Sequence, residues 1–275
     1  MNLYEIIIII LCILYVLFYL KKRFQKEGFH ANMNNYKDAK TYDQIYDDFY
    51  GFLYDDLFYQ EGYYLQMCHI VLKYINHVYN NHLCIGIKHG GHMNQLLKKN
   101  MKTLSINKSP AMIRLCKYHY KDNDYRHVDS YETSEYTFDA HTYTHISVID
   151  NELYYIQNLR DFLNHCSTWL ILKGYLMIQC YHSKDALKIA FSKYGENSEL
   201  RYKNMYKGTF HTYENNDLIT YIETITDHDE SRKNYHTLMY YSKEYIEELA
   251  SLYQLYLIET EPITKYESIL VFQKI

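Results

Sequence analysis

The stretch His82 to Lys99, HLCIGIKHGGHMNQLLKK, constrains the fold more than any other. An apolar run, Leu83 to Ile87, meets three glycines within six residues, and then Met93, Leu96 and Leu97 recur at helical spacing. Glycine allows positive φ and close approach of another group to the backbone. A strand that turns through glycines into a helix belongs to α/β architecture, and such a turn is the usual cradle for a nucleotide-like group.

The rest of the chain keeps that rhythm. Strands are expected at Leu83–Ile87, Lys102–Asn107, Tyr125–Asp129 and Tyr143–Ile149, with another in Leu170–Cys180 after a Lys173-Gly174 turn. Helices are expected at Gly91–Asn100, after the Ser109-Pro110 cap, and at Leu159–Trp169. Strands alternating with helices imply a parallel sheet covered on both faces. Residues 42–79 read as helical. Residues 183–241 break the pattern, with two strands, Leu218–Ile225 and Tyr235–Tyr241, around the charged turn Asp227–Glu230. Ser242 caps a helix running to about Tyr253, and strands near Leu255–Glu259 and Ser268–Gln273 close the chain.

The N-terminus reads as a membrane anchor. Leu3 to Leu20 is apolar except for Glu5, and Lys21-Lys22-Arg23 follows. These eighteen residues span about 27 Å as a helix. A cleaved signal peptide is the competing reading, but no basic residues precede the run and no small-x-small site follows it. The basic flank places the bulk of the chain on the cytosolic side. The division expected is an anchor at 1–23, a linker at 24–41 and one α/β domain at 42–275 with 183–241 inserted.

Six cysteines without regular spacing suit a reducing compartment and no zinc module. A net charge of −4 gives no support to a nucleic-acid partner. The 35 tyrosines read as codon bias plus core and interface packing rather than chemistry. His89, His92 and Cys84 lack the register and fourth ligand of a metal site, so none is expected.

Four segments in order carry a resemblance: His82–Gly91, LSINKSPAMI at Leu104–Ile113, HVDS at His127–Ser130, and HCSTWLILKGYLMIQ at His165–Gln179. Together, from about Tyr42 to the C-terminus, they resemble the S-adenosylmethionine-dependent methyltransferases of the seven-stranded, Rossmann-like class. The resemblance implies a methyltransferase sheet with helices on both faces, an antiparallel insert over the acceptor side, and S-adenosylmethionine (SAM) as cofactor. It places cofactor-binding residues at Gly86, Gly90, Asn107 and Asp129. Tyr42 and Tyr46 fall in the helix that often covers the cofactor, although core packing is the favoured reading of both. His145 and Asp150 fall where acceptor-side groups often sit, with a solvated loop role favoured; no catalytic residue is assigned.

The chain departs from the family at the cofactor. Cys84 stands for an acidic residue, Lys88 for a glycine and Asn107 for the acidic residue that accepts the ribose hydroxyls. A non-glycine residue at positive φ costs about 1–2 kcal/mol, and losing one charged acceptor costs about 1.5–3 kcal/mol. SAM affinity is therefore expected to be weak or lost. Two functions stay open: a membrane-anchored methyltransferase with an eroded cofactor site and an unknown acceptor, or an inactive scaffold of the same fold that binds a protein partner.

Overall fold

The computed structural model describes residues 12, 13, 15, 16, 42–58, 61–75, 80–88, 90–99, 101–132, 138–190, 206–212, 217–227 and 230–275. The expected anchor, apart from four helical residues, and its linker lie outside these. Among the described residues no helix is long and apolar enough to cross a membrane.

The N-terminal helical region resolves into α1 (Tyr42–Ile45), α2 (Asp48–Phe58) and α3 (Glu61–Lys73). There follow β1 (Asn81–Ile85), α4 (Gly91–Leu97), β2 (Lys102–Asn107), α5 (Pro110–His119), β3 (Asp124–His127) and β4 (Tyr143–Val148). A short 3-10 turn, Glu152–Tyr155, leads to α6 (Leu159–Trp169) and β5 (Leu170–Tyr181). The expected Lys173-Gly174 turn is an irregularity inside β5, where Lys173 has φ +63° and the pairing with β4 shifts register. The caps work as the sequence indicates: Ser109 Oγ accepts from Met112 N, and Ser242 Oγ accepts from Tyr245 N.

The inserted segment forms β6 (Tyr206–Thr212), β7 (Leu218–Asp227) and β8 (Glu230–Met239). They make an antiparallel sheet of their own. Two strands were expected there; the third, β6, contains Gly208 and lies in a polar stretch, which hides its alternation. Helix α7 (Lys243–Ser251), β9 (Leu255–Pro262) and β10 (Glu267–Lys274) complete the chain.

The main sheet has seven strands in the order β3-β2-β1-β4-β5-β10-β9. β1 to β5 run parallel, and β10 pairs antiparallel with both β5 and β9. Side chains alternate between two cores, as pleating demands. Leu83, Ile85, Ile146 and Val148 face α6 and α7 through Phe162, Leu163, Trp169, Ile246 and Leu249. Cys84, Tyr175 and Met177 face α3 and α4 through Met67, Cys68, Val71, Met93 and Leu96. Helices thus cover both faces.

Strand order reverses between β1 and β4, and in such sheets the crevice beyond the carboxyl ends at the reversal is where ligands bind. Ile85 pairs with Ile106 and with Val148, so β1, β2 and β4 end level. The segments after them, 86–88, 107–109 and 149–152, share one rim.

Candidate functional site

Lys88 spans that reversal. Its Nζ donates to the Asp150 carbonyl at 2.8 Å and lies 3.2 Å from Glu152 Oε2. Three tyrosine rings face the ammonium, with centroids 5.8 Å (Tyr42), 4.8 Å (Tyr46) and 4.9 Å (Tyr155) away. The Lys88 side chain is 1% exposed and that of Glu152 0%. A buried ammonium is tolerated only when paired and hydrogen-bonded, and here a carboxylate, a carbonyl and three aromatic faces meet it.

Local backbone explains how these groups converge. Asp150 (φ +55°) and Asn151 (φ +63°) both take the left-handed conformation that short polar residues tolerate. Asn151 is held by its amide donating to Gln179 Oε1 and by its Oδ1 accepting from the Tyr181 hydroxyl. This bend swings Glu152 back over β1. Gly86, at φ +84°, leaves the room: a Cβ there would sit 2.1 Å from Glu152 Cγ.

Of the residues expected at the cofactor, Gly86 and Asn107 join this cluster. Asn107 is buried and occupied: Nδ2 donates to the Ile87 carbonyl at 2.6 Å and to the Tyr42 hydroxyl at 3.3 Å, while Oδ1 accepts from Ser109 N. Asp129 is exposed just beyond β3. Gly90 (φ +87°) precedes α4 and faces Tyr120 and Cys116 instead.

The acceptor-side reading of His145 is not what the structure places. It lies inside β4, fully buried, stacked on Tyr175 and hydrogen-bonded through Nε2 to the Tyr74 carbonyl. The solvated role fails too, because the ring faces the α3 side of the sheet. Asp150 is likewise buried rather than in a solvated loop. Cys84 Sγ and His92 Nε2 meet at 3.1 Å, but burial pushes the Cys84 thiol up to about 12, so it stays neutral. No group of three metal-ligating side chains occurs among the described residues.

Sequence reasoning named Tyr42 and Tyr46 but missed their partners Glu152, Tyr155, His236 and Glu223. The Tyr42 hydroxyl donates to Glu152 Oε2, and the Tyr46 and Tyr155 hydroxyls lie 3.0 Å apart. Tyr155 continues into the insert, 2.6 Å from His236 Nδ1, and His236 Nε2 lies 2.8 Å from Glu223 Oε2. Glu223 also accepts from the Tyr50 hydroxyl and Asn234 Nδ2. Burial pushes the Glu223 carboxyl up, but the His236 charge and these three hydrogen bonds outweigh it and hold it below the usual range. Arg232, beside Asn234, donates twice to Asp47 and to the Ile45 carbonyl, clamping the insert onto the α1–α2 junction. Burial holds the hydroxyls of Tyr46 and Tyr155 well above the ordinary tyrosine range, so neither is a ready base.

No protein-family model matches the chain, and no curated protein's sequence does. Solved structures do match. The PH0226 protein from Pyrococcus horikoshii OT3 aligns with a TM-score of 0.65 at 15% identity, over 81% of this chain and 96% of that one. An S-adenosylmethionine-dependent methyltransferase from Clostridium acetobutylicum ATCC 824 aligns at 0.59 and 12%, over 82% and 97%. SAM-bound CalS10, an amino pentose methyltransferase from Micromonospora echinaspora, aligns at 0.59 and 12%, over 86% and 100%. At such identities the likeness is one of fold: the chain has the Rossmann-like methyltransferase fold with its seven-stranded, mostly parallel sheet.

Proposed function

We propose that this chain is a non-catalytic binding protein built on the methyltransferase fold and tethered to a membrane by Leu3–Leu20, its α/β domain facing the cytosol. One observation carries the reading: the crevice at the strand reversal is filled from within by Lys88, sealed by Tyr42, Tyr46, Tyr155 and Glu152.

SAM does not fit this arrangement. It carries a positive sulfur and an ammonium, and a buried lysine ammonium already pairs with the Glu152 carboxylate. Asn107 brings no charge to the ribose hydroxyls, and its polar atoms are engaged. Asp129 alone of the expected ligands stands open to solvent. On this reading partner recognition falls to the insert at 183–241, which packs beside the crevice through His236.

A second reading, an active methyltransferase that rearranges to admit SAM, is favoured by one feature. Gly86 and Gly90 keep positive φ, the backbone geometry of a cofactor cradle.

Calorimetric titration of SAM and its demethylated product into the full-length chain in detergent separates the two. Heat at micromolar ligand, reduced by Asp129→Ala, would establish the second reading. No heat at millimolar ligand, from protein with a cooperative thermal transition, is the expected result.

A further inference from the structure

At the amino ends of the parallel strands, the end away from Lys88, the sheet carries a cavity of about 440 Å³. That volume lies in the range of small-molecule sites. Asn81, Lys102, Asp124 and Tyr143, the first residues of β1, β2, β3 and β4, line it together with Leu104 and Arg126. Strand register brings the first three together: Asn81 pairs with Lys102, and Leu104, two residues on, pairs with Asp124.

Tyr143 points to a ligand. Its side chain is 4% exposed and packs edge-on against Phe138, with ring centroids 5.4 Å apart. Its hydroxyl nevertheless makes no hydrogen bond to any described residue. Burial pushes that hydroxyl up to about 12 against the pull of the Arg126 charge, so it stays a proton donor. Arg126 is held nearby, its guanidinium 5.2 Å from the Phe138 centroid. A buried donor that opens onto a cavity beside a cation suits an anionic acceptor.

The walls carry charge of both signs. Lys102 and Asp124 are exposed, and among the described residues neither side chain is in an ion pair or a hydrogen bond. A simple anion would leave Asp124 facing it, whereas a zwitterion meets both. Asn81 Nδ2 already donates to the Thr142 carbonyl, which leaves Oδ1 as an acceptor. Leu104 lies on the same face as Lys102 and supplies an apolar floor.

We infer that this cavity binds an α-amino acid with a large apolar side chain. Its carboxylate would accept from the Tyr143 hydroxyl and meet Lys102. Its ammonium would meet Asp124 and Asn81 Oδ1, and its side chain would cover Leu104. The site lies at the other end of the strands from the reversal, so it does not depend on what the crevice there binds.

The test titrates L-phenylalanine by calorimetry into the full-length chain in detergent, as wild type, Tyr143→Phe, Asp124→Asn and Lys102→Gln. Three analogues each remove one element: 3-phenylpropionate the ammonium, phenethylamine the carboxylate and L-alanine the ring. Wild type should bind phenylalanine at least tenfold more tightly than any of the three, and each substitution should weaken phenylalanine at least fivefold. Tyr143→Phe removes an oxygen that bonds nothing in the protein, so its melting temperature without ligand should match wild type. Phenylalanine should then raise the wild-type value more, since a ligand of the folded state stabilises that state.

Neither heat nor a melting shift from millimolar phenylalanine, leucine or tryptophan overturns the proposal. Equal binding of 3-phenylpropionate overturns it in favour of a plain carboxylate site. Phenylalanine binding that survives all three substitutions places the ligand elsewhere and overturns it too. SAM titration decides the reading of the crevice separately.

Discussion

Lys88 Nζ and Glu152 Oε2 stand 3.2 Å apart across the strand reversal, and neither side chain reaches solvent. Two charges removed from water give little net stability as a pair, yet breaking the pair strands one of them. Glu152→Gln and Lys88→Met should therefore each destabilise by about 3–5 kcal/mol. The double substitution should cost at least 1 kcal/mol less than the sum, the coupling expected of contacting groups. Urea unfolding of the four proteins checks this, and additive losses would mean that the two charges do not interact.

Gly86 and Gly62 should respond to alanine in opposite directions. At Gly86 a Cβ would collide with Glu152 Cγ and Cβ at 2.1 and 2.2 Å, on a backbone at φ +84°. Left-handed strain of about 1–2 kcal/mol and overpacking of about 1–3 kcal/mol add there. Gly62 lies in the first turn of α3 with nothing within 4 Å of its Cβ position. Alanine at that site should stabilise by up to about 1 kcal/mol. Thermal melts of the two variants give the sign of each.

Much of the scaffold was legible because its signals are local. Ser109 followed by Pro110 marks a helix start whatever surrounds it, and Leu159–Trp169 shows its period within its own eleven residues. The site was only half legible, because its contacts are long-range. Glu152 meets Tyr42 across 110 residues, and Tyr50 meets Glu223 across 173. Nothing around Glu152 in the sequence distinguishes a sealed carboxylate from a solvated one. The abundance of tyrosine also hid Tyr155, whose ring and hydroxyl join the Lys88 cluster to the insert. His145 misled for a simpler reason: its place in β4 was visible, but the face it takes depends on the register with its neighbours.

The Glu223 cluster should hold the insert against the domain, with a defined pH dependence. Its carboxyl titrates below the ordinary glutamate value of about 4.5 in the folded chain. An unfolded chain therefore takes up that proton first as pH falls. The stability it contributes is complete above about pH 4.5 and is lost as pH drops through the folded value. Glu223→Gln should cost about 2–3 kcal/mol at pH 7 by weakening charge-assisted hydrogen bonds, and less at pH 3. Hydrogen exchange should speed up in β7, β8 and α1 together, since Arg232 ties the same sheet to Asp47 and Ile45. Faster exchange confined to β7 would contradict a shared clamp.

His82 predicts a second, higher pH window. The ring is fully buried in β1, with Nε2 2.8 Å from Ser147 Oγ and Nδ1 without a partner. Burial, then the charges of His145 and His92, lowers its pKa well below 6.5. In the unfolded chain the same histidine takes a proton near pH 6.5. Between that value and the depressed folded one, the unfolded state binds one more proton. Stability from this group is therefore complete above about pH 6.5 and falls as the solution is acidified. The slope approaches about 1.4 kcal/mol per pH unit. His82→Gln removes the titration while keeping a side-chain amide for Ser147. It should lower stability at pH 8 but flatten the loss between pH 6.5 and 5. Urea unfolding at half-unit pH steps measures both slopes. Parallel curves for the two proteins would show that His82 is not the group that titrates.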